Sequence, residues 1–249
     1  MYLNIVTDPS KPDYLKRDHI LKQNYFFRYF SKKKRDDLKK DYWNNYYLKM
    51  TPEIVNQYLQ QKLISDYNLT IIDELVNFSN YRNILEMSCG VAGTTISIKK
   101  KYPNHNYFIC DAPKPLISLL KKIDIYSNIN LYQKSFYDDF NHLTDNNINL
   151  IIIENSVYLF ELKPFVKFLK RIKKQNITFV FSIFDNEYNF YRRKIYNLLQ
   201  VFKTFYVKEN YIVEGRRYNT NFYKDLLKSE NINFKLKQIE HKIYFCVNF

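Results

Sequence analysis

The chain has 249 residues, of which 46% are apolar and 18% aromatic, and a formal net charge of +14. That length fits one large α/β domain with a modest extra segment. The aromatic content excludes a disordered chain, which needs few aromatics and low hydrophobicity.

No apolar run approaches the roughly 18 residues that a membrane span requires. The opening Met1-Tyr2-Leu3-Asn4-Ile5-Val6 lacks a basic n-region, an apolar h-region and a small-residue cleavage site, so neither a leader nor an anchor is expected and a cytoplasmic location is. Cys89, Cys110 and Cys246 lie far apart without CxxC spacing and read as buried thiols in a reducing compartment. The positive charge raises a nucleic-acid partner. It is carried mostly by Lys spread along helical faces, whereas Arg is the better reader of bases and phosphates. The densest run, Ser31 to Arg35, is followed at once by Asp36 and Asp37 and reads as a solvated face. With Lys, Asn, Ile, Tyr and Phe abundant and only three glycines in the chain, the charge is read as compositional bias, and nucleic acid is not the favoured partner.

Taken in chain order, residues 1–80 read as a helical N-terminal extension or lid. Tyr25, Phe26, Tyr29 and Phe30 mark one helix face. Thr51-Pro52-Glu53 starts a helix, with Thr as N-cap and Pro at the first helical position. Another is predicted over 71–77. A different rhythm follows over 81–249. Strands are predicted at 82–86, 106–110, 129–133, 148–154 and 177–183, with helices at 94–101, 115–123 and 163–174. Strand and helix alternating through short loops imply a parallel sheet with right-handed crossovers. Residues 186–217 break the rhythm with an inserted helix and a basic, substrate-side segment. A helix at 219–229 and strands at 233–239 and 242–248 close the chain, and the tight join makes one of these strands antiparallel. The expected fold class is α/β: a doubly wound, mostly parallel seven-stranded sheet with an N-terminal helical extension.

Of the three glycines, Gly90 and Gly93 fall in one strand-to-helix turn, where positive φ or close approach to a ligand is expected of glycine. In open α/β sheets, ligands lie at the carboxyl ends of the strands, at the switch in strand order. Glu86, Asp111 and Asn155 all end strands there. A nicotinamide or flavin dinucleotide would need G-x-G-x-x-G to cradle its pyrophosphate. Glu86 argues against that ligand, because a carboxylate repels a pyrophosphate and suits an ammonium group.

Glu86, Ser88, Gly90, Ala92 and Gly93 together resemble the acid-and-glycine loop of the class I S-adenosylmethionine-dependent methyltransferases. Ser88 and Ala92 stand where that pattern has its first and third glycines, and Gly93 comes one step late. Asp111, with Ala112 after it, matches the acid that in this family bonds the ribose hydroxyls. Ser135 and Phe136 fall where the adenine is contacted, with Asp138 as an alternative to Ser135. Glu154-Asn155-Ser156-Val157-Tyr158 follows strand four. The resemblance covers residues 82–184, and the last two strands agree with the family's closing hairpin. It implies a Rossmann-like methyltransferase fold and S-adenosylmethionine as cofactor.

The acceptor is less legible. There is no Asn-Pro-Pro-Tyr motif after strand four and no tandem Cys pair, and the four histidines are scattered, so no metal site is expected. Asp111-Ala112-Pro113-Lys114-Pro115, the end of strand four, and Gln23-Asn24-Tyr25-Phe26 in an aromatic N-terminal region are similar to bacterial sugar O-methyltransferases associated with surface polysaccharides. That similarity implies methylation of a hydroxyl on a sugar or other small molecule. Asp185 and Glu187, after strand five, are the candidate bases, and Tyr158 is the candidate orienting group. For each, the plain alternative is a solvated loop side chain. The aromatic N-terminal helices and residues 204–217 would form the acceptor pocket. Two other readings stay open: an RNA methyltransferase, and an inactive methyltransferase fold used as a binding subunit.

Overall fold

A computed structural model describes residues 43–134, 146–154, 156–157, 162–184, 220–239 and 242–249. The chain divides into two units, Met1–Lys49 with Asn186–Gly215, and Met50–Asp185 with Arg216–Phe249. In the first, the described part is a helical turn in which Trp43 meets Tyr46 edge-on, with ring centroids 5.7 Å apart. The second unit holds the sheet.

It opens as the Thr-Pro-Glu signal predicts. Helix α1 runs Pro52–Lys62, and the Thr51 hydroxyl accepts from the Ile54 amide at its start. Helix α2 runs Asp66–Val76, five residues ahead of the predicted start. Ser65 caps it by accepting from the Asn68 amide, and Asp66 sits in its first turn; both are N-terminal signals that the apolar periodicity alone passed over. Both helices belong to the sheet unit, although the sequence reading placed them in the extension.

The sheet elements follow in order: β1 Asn83–Met87, α3 Gly93–Lys101, β2 Asn106–Asp111, α4 Lys114–Leu120, β3 Asn130–Gln133, β4 Leu150–Ile153, α5 Leu162–Lys174, β5 Thr178–Phe184, α6 Thr220–Ser229, β6 Phe234–Ile239 and β7 Lys242–Val247. The seven strands are ordered β3-β2-β1-β4-β5-β7-β6. The first five pair in parallel, and β7 is antiparallel to both β5 and β6. Strand order reverses between β1 and β4, which makes that edge the switch point where such sheets take ligands.

Side chains alternate between sheet faces. One face carries Leu85, Met87, Phe108, Cys110, Ile151, Ile153, Phe179, Phe181, Phe245 and Val247, packed with Phe165, Phe168 and Leu169 of α5 and Tyr223 and Leu227 of α6. Phe181 stacks parallel on Phe245 with centroids 4.8 Å apart. The opposite face begins apolar with Ile84, Ile109, Ile152 and Val180. Toward the carboxyl edge it turns polar, at Asp111 on β2, Glu86 on β1, Ser182 on β5 and Tyr244 and Lys242 on β7, with Glu154 following β4. Among the described residues no helix is long and apolar enough to cross a membrane.

Candidate cofactor site

The turn from β1 into α3 has left-handed backbone at Ser88 (φ 52), Gly90 (φ 52) and Ala92 (φ 54). These are the three positions at which the family pattern has glycines. Only glycine adopts that region without cost, and non-glycine residues there persist where their surroundings hold them.

Three side chains do the holding. Asp111, at the end of β2, accepts from the Gly90 amide through Oδ2 at 2.9 Å and from the Ala112 amide through Oδ1 at 2.8 Å. The Tyr126 hydroxyl, buried under the turn, donates to the Val91 carbonyl at 2.7 Å. Glu86 accepts through Oε2 from the Thr95 amide at 2.8 Å and the Thr95 hydroxyl at 2.6 Å. Thr95 lies in the first turn of α3, whose N-cap is Ala92 and has no capping side chain. Glu86 therefore supplies, from the neighbouring strand, the acceptor that an N-cap Ser or Asp normally provides.

Gly93 does not take the positive φ expected of it, which among the glycines of this turn is adopted by Gly90. Gly93 is the first residue of α3, and a Cβ there would stand 2.4 Å from the Lys62 carbonyl oxygen. Its missing side chain makes room for the end of α1. That junction is also tied by Ser97, which accepts from the Ile64 amide at 2.9 Å and donates to the Gly93 carbonyl at 2.8 Å.

The electrostatics of the edge are those of crowded carboxylates. Glu86 is 3% exposed. Burial pushes its carboxyl up to about 7, the Thr95 hydrogen bonds oppose this, and the charges of Glu154 and Asp111 push the same way. Burial raises Asp111 to about 6 against the two backbone amides that favour its ionised form. Glu154, just after β4, is bound through Oε1 by the Lys242 ammonium at 2.6 Å and the Tyr244 hydroxyl at 3.0 Å. Three acids thus lie at the carboxyl ends of β2, β1 and β4 on one sheet face, and Glu154 is paired with a cation from β7. The arrangement favours a positively charged ligand and disfavours a pyrophosphate. Each Asp111 oxygen accepts one amide hydrogen and keeps capacity for a second donor.

Among the residues read from sequence, Glu86, Ser88, Gly90, Gly93, Asp111 and Ala112 are brought together by this turn. Ser135, Phe136, Asp138, Asn155, Tyr158, Asp185 and Glu187 lie outside the described residues, as do Gln23 to Phe26 and residues 204–217. Sequence reasoning missed Thr95, Tyr126, Lys242 and Tyr244. The first had a local signal, since an N-cap alanine leaves a helix needing an outside acceptor. The other three reach the edge through tertiary contacts. Among the described residues no group of three or more His, Cys, Asp or Glu side chains is placed to hold a metal ion.

Comparison with solved structures settles the architecture. A protein designated PigF, solved with S-adenosylhomocysteine, superposes with a TM-score of 0.57 at 13% identity, over 98% of this chain and 75% of that one. An O-methyltransferase family protein from Burkholderia thailandensis gives 0.54 at 10% identity, over 95% of this chain and 68% of that one. Human N-acetylserotonin methyltransferase, solved with S-adenosylmethionine, gives 0.55 at 13% identity, over 80% and 56%. The chain has the class I methyltransferase fold. At these identities the likeness is one of fold, and this chain spans 56% of the human enzyme and 68% of the bacterial one. No protein-family model and no curated protein sequence matches it.

Proposed function

We propose that the chain transfers a methyl group from S-adenosylmethionine to a hydroxyl of a small-molecule acceptor. The observation that carries this reading is Asp111. It ends β2 at the switch edge, pins Gly90 in its left-handed conformation with Oδ2, and offers both oxygens to a pair of vicinal hydroxyls. The fold shared with proteins solved with S-adenosylmethionine or S-adenosylhomocysteine supports the same cofactor. The residues present fit it, since Asp111 suits the ribose hydroxyls and the buried acid Glu86 suits the ammonium end. When bound, the cofactor supplies a methyl carbon made electrophilic by the adjacent sulfonium.

The chain then has two tasks, to hold the acceptor oxygen in line with that carbon and to take its proton. We assign the proton to Asp185 or Glu187 after β5, and orientation of the acceptor to Tyr158. Ser135, Phe136 and Asn155 are assigned to the cofactor's adenine and the edge around it. A sugar hydroxyl, of the kind found in surface polysaccharides, is the acceptor class we favour, with the cytoplasm as the compartment.

The test is transfer of labelled methyl from S-adenosylmethionine to a panel of sugars and phenols by the full chain. A hydroxyl acceptor is expected to take up label. Asp185→Asn should keep cofactor binding and slow turnover; undiminished turnover in that variant would remove Asp185 as the base. Labelling of RNA instead, with binding that weakens steeply as salt rises, would replace the small-molecule reading.

A further inference from the structure

The carboxyl edge also carries a cation that contacts to a ribose and an ammonium do not use. Lys242 opens β7, opposite Phe184 at the end of β5, and its ammonium lies 2.6 Å from Oε1 of Glu154, just after β4. The Tyr244 hydroxyl, two residues along β7, donates to the same oxygen at 3.0 Å. The Lys242 side chain is 32% exposed and that of Glu154 13%, so water screens this pair less than it screens a surface pair. Glu154 also stands near enough to Glu86 for its charge to act on that buried carboxyl. In strand order the edge runs from Asp111 on β2 to Glu86 on β1 to Glu154 after β4, and Lys242 reaches in from β7.

Neighbouring strands stand about 4.8 Å apart, which puts the gap between β1 and β4 about 7 Å from β2. In S-adenosylhomocysteine about eight bonds join a ribose hydroxyl to the α-ammonium, a chain that reaches about 10 Å when extended. A ligand with its ribose on Asp111 and its ammonium at Glu86 therefore presents that ammonium to Glu154 on the next strand. Its carboxylate is bonded to the carbon that carries the ammonium, which brings it within a few ångströms of Lys242. We infer that Glu154 and Lys242 form the subsite for the zwitterionic amino-acid end of the cofactor, Glu154 receiving the ammonium and Lys242 the carboxylate. The inference rests on the proposed methyl-donor reading. Glu154 and Lys242 together carry no net charge, so the pair favours neither a lone cation nor a lone anion. A zwitterion laid head to tail against it gains at both ends. An ionised carboxylate has about four acceptor positions and an ammonium three hydrogens, so the ion pair persists while the ligand is bound. Tyr244 holds the Glu154 carboxylate through Oε1 and is a positioning residue.

Three ligands separate the two charges. S-adenosylhomocysteine carries both, its decarboxylated analogue keeps the ammonium alone, and methylthioadenosine keeps the sulfur, ribose and adenine with neither charge. Each is titrated calorimetrically into the full chain and its variants at pH 8. Lys242→Met is expected to weaken S-adenosylhomocysteine about tenfold relative to the decarboxylated analogue, the size of one charge-assisted hydrogen bond, and Lys242→Arg to keep the wild-type preference. Glu154→Gln is expected to weaken both amine-bearing ligands about tenfold relative to methylthioadenosine. A purely structural role would weaken all three by a common factor. That result, an unchanged preference among the ligands, or tighter binding of S-adenosylhomocysteine to Lys242→Met would overturn the inference, as would a wild-type chain that binds methylthioadenosine as tightly as S-adenosylhomocysteine. Failure of the wild-type chain to bind any of the three would instead remove the cofactor reading on which it rests.

Discussion

The two faces of the central sheet are built on different terms. The face toward α5 and α6 is filled with rings and aliphatic side chains, Phe165, Phe168, Phe179, Phe181, Tyr223 and Phe245 among them, and its stability comes from area and close packing. The opposite face is apolar only in its lower half. At its carboxyl edge it carries Asp111, Glu86, Glu154, Tyr244 and Lys242, and burial raises the first two carboxyls toward neutrality. One face is optimised for folding. The other holds groups that oppose folding and that a bound cation would relieve, which is the arrangement expected of a ligand edge.

The largest break in this contrast is a cavity on the packed face. Phe181→Ala should cost about 3–5 kcal/mol of folding stability, read from urea unfolding, while leaving S-adenosylhomocysteine affinity of the folded fraction near wild type. On the polar face the cost should appear in binding. Asp111→Ala is expected to weaken S-adenosylhomocysteine by about 1.5–3 kcal/mol, the usual worth of hydrogen bonds to a charged group. Unchanged affinity by calorimetry would displace the ribose contact.

Gly93→Ala sharpens the comparison at the junction of α1 and α3. Helix propensity alone predicts a gain of up to about 1 kcal/mol, but the new Cβ would stand 2.4 Å from the Lys62 carbonyl oxygen. Overpacking against backbone costs about 1–3 kcal/mol, so a net loss of up to about 2 kcal/mol is expected in the same unfolding measurement. A more stable variant would mean that α1 yields easily.

The smallest effect is a dependence on pH. A carboxyl whose pKa is raised in the folded state contributes stability that is complete below its unfolded value, near 4.5 for Glu86 and 3.8 for Asp111, and lost as pH rises through the folded values near 7 and 6. Asp73, which partial burial raises but hydrogen bonds from Lys101, Tyr102 and the Phe78 amide bring below its ordinary value on balance, has the opposite sign, and its contribution is lost only in more acidic solution. The protein alone should therefore melt at a lower temperature at pH 8 than at pH 5.5. S-adenosylhomocysteine should raise the melting temperature more at pH 8, where the carboxylates are ionised. Equal ligand shifts at the two pH values would separate these acids from the site.

Much of the fold was legible because its signals are local. The run Leu150 to Ile153 is apolar at every position, as a strand buried on both faces must be, and Thr51-Pro52 announces its helix. What the sequence hid was distant. Gly93 looks like a turn residue until Lys62 is seen beside it. Glu86 and Asp111 stood out as acids at strand ends, but that Glu86 caps α3 through Thr95 depends on how the turn closes. The pairing of Glu154 with Lys242 joins residues 88 positions apart, and no spacing pattern encodes it. The early start of α2 was in the sequence at Ser65-Asp66, where capping chemistry outweighs apolar periodicity.

The most direct test of the central claim, that the polar edge of this sheet holds a methyl donor, is calorimetric titration of the full chain with S-adenosylhomocysteine, with NAD as control. S-adenosylhomocysteine should bind with micromolar affinity and NAD not at all. Binding of NAD, or of neither ligand, would contradict it and leave Asp111 and Glu86 as supports of a turn that serves some other purpose.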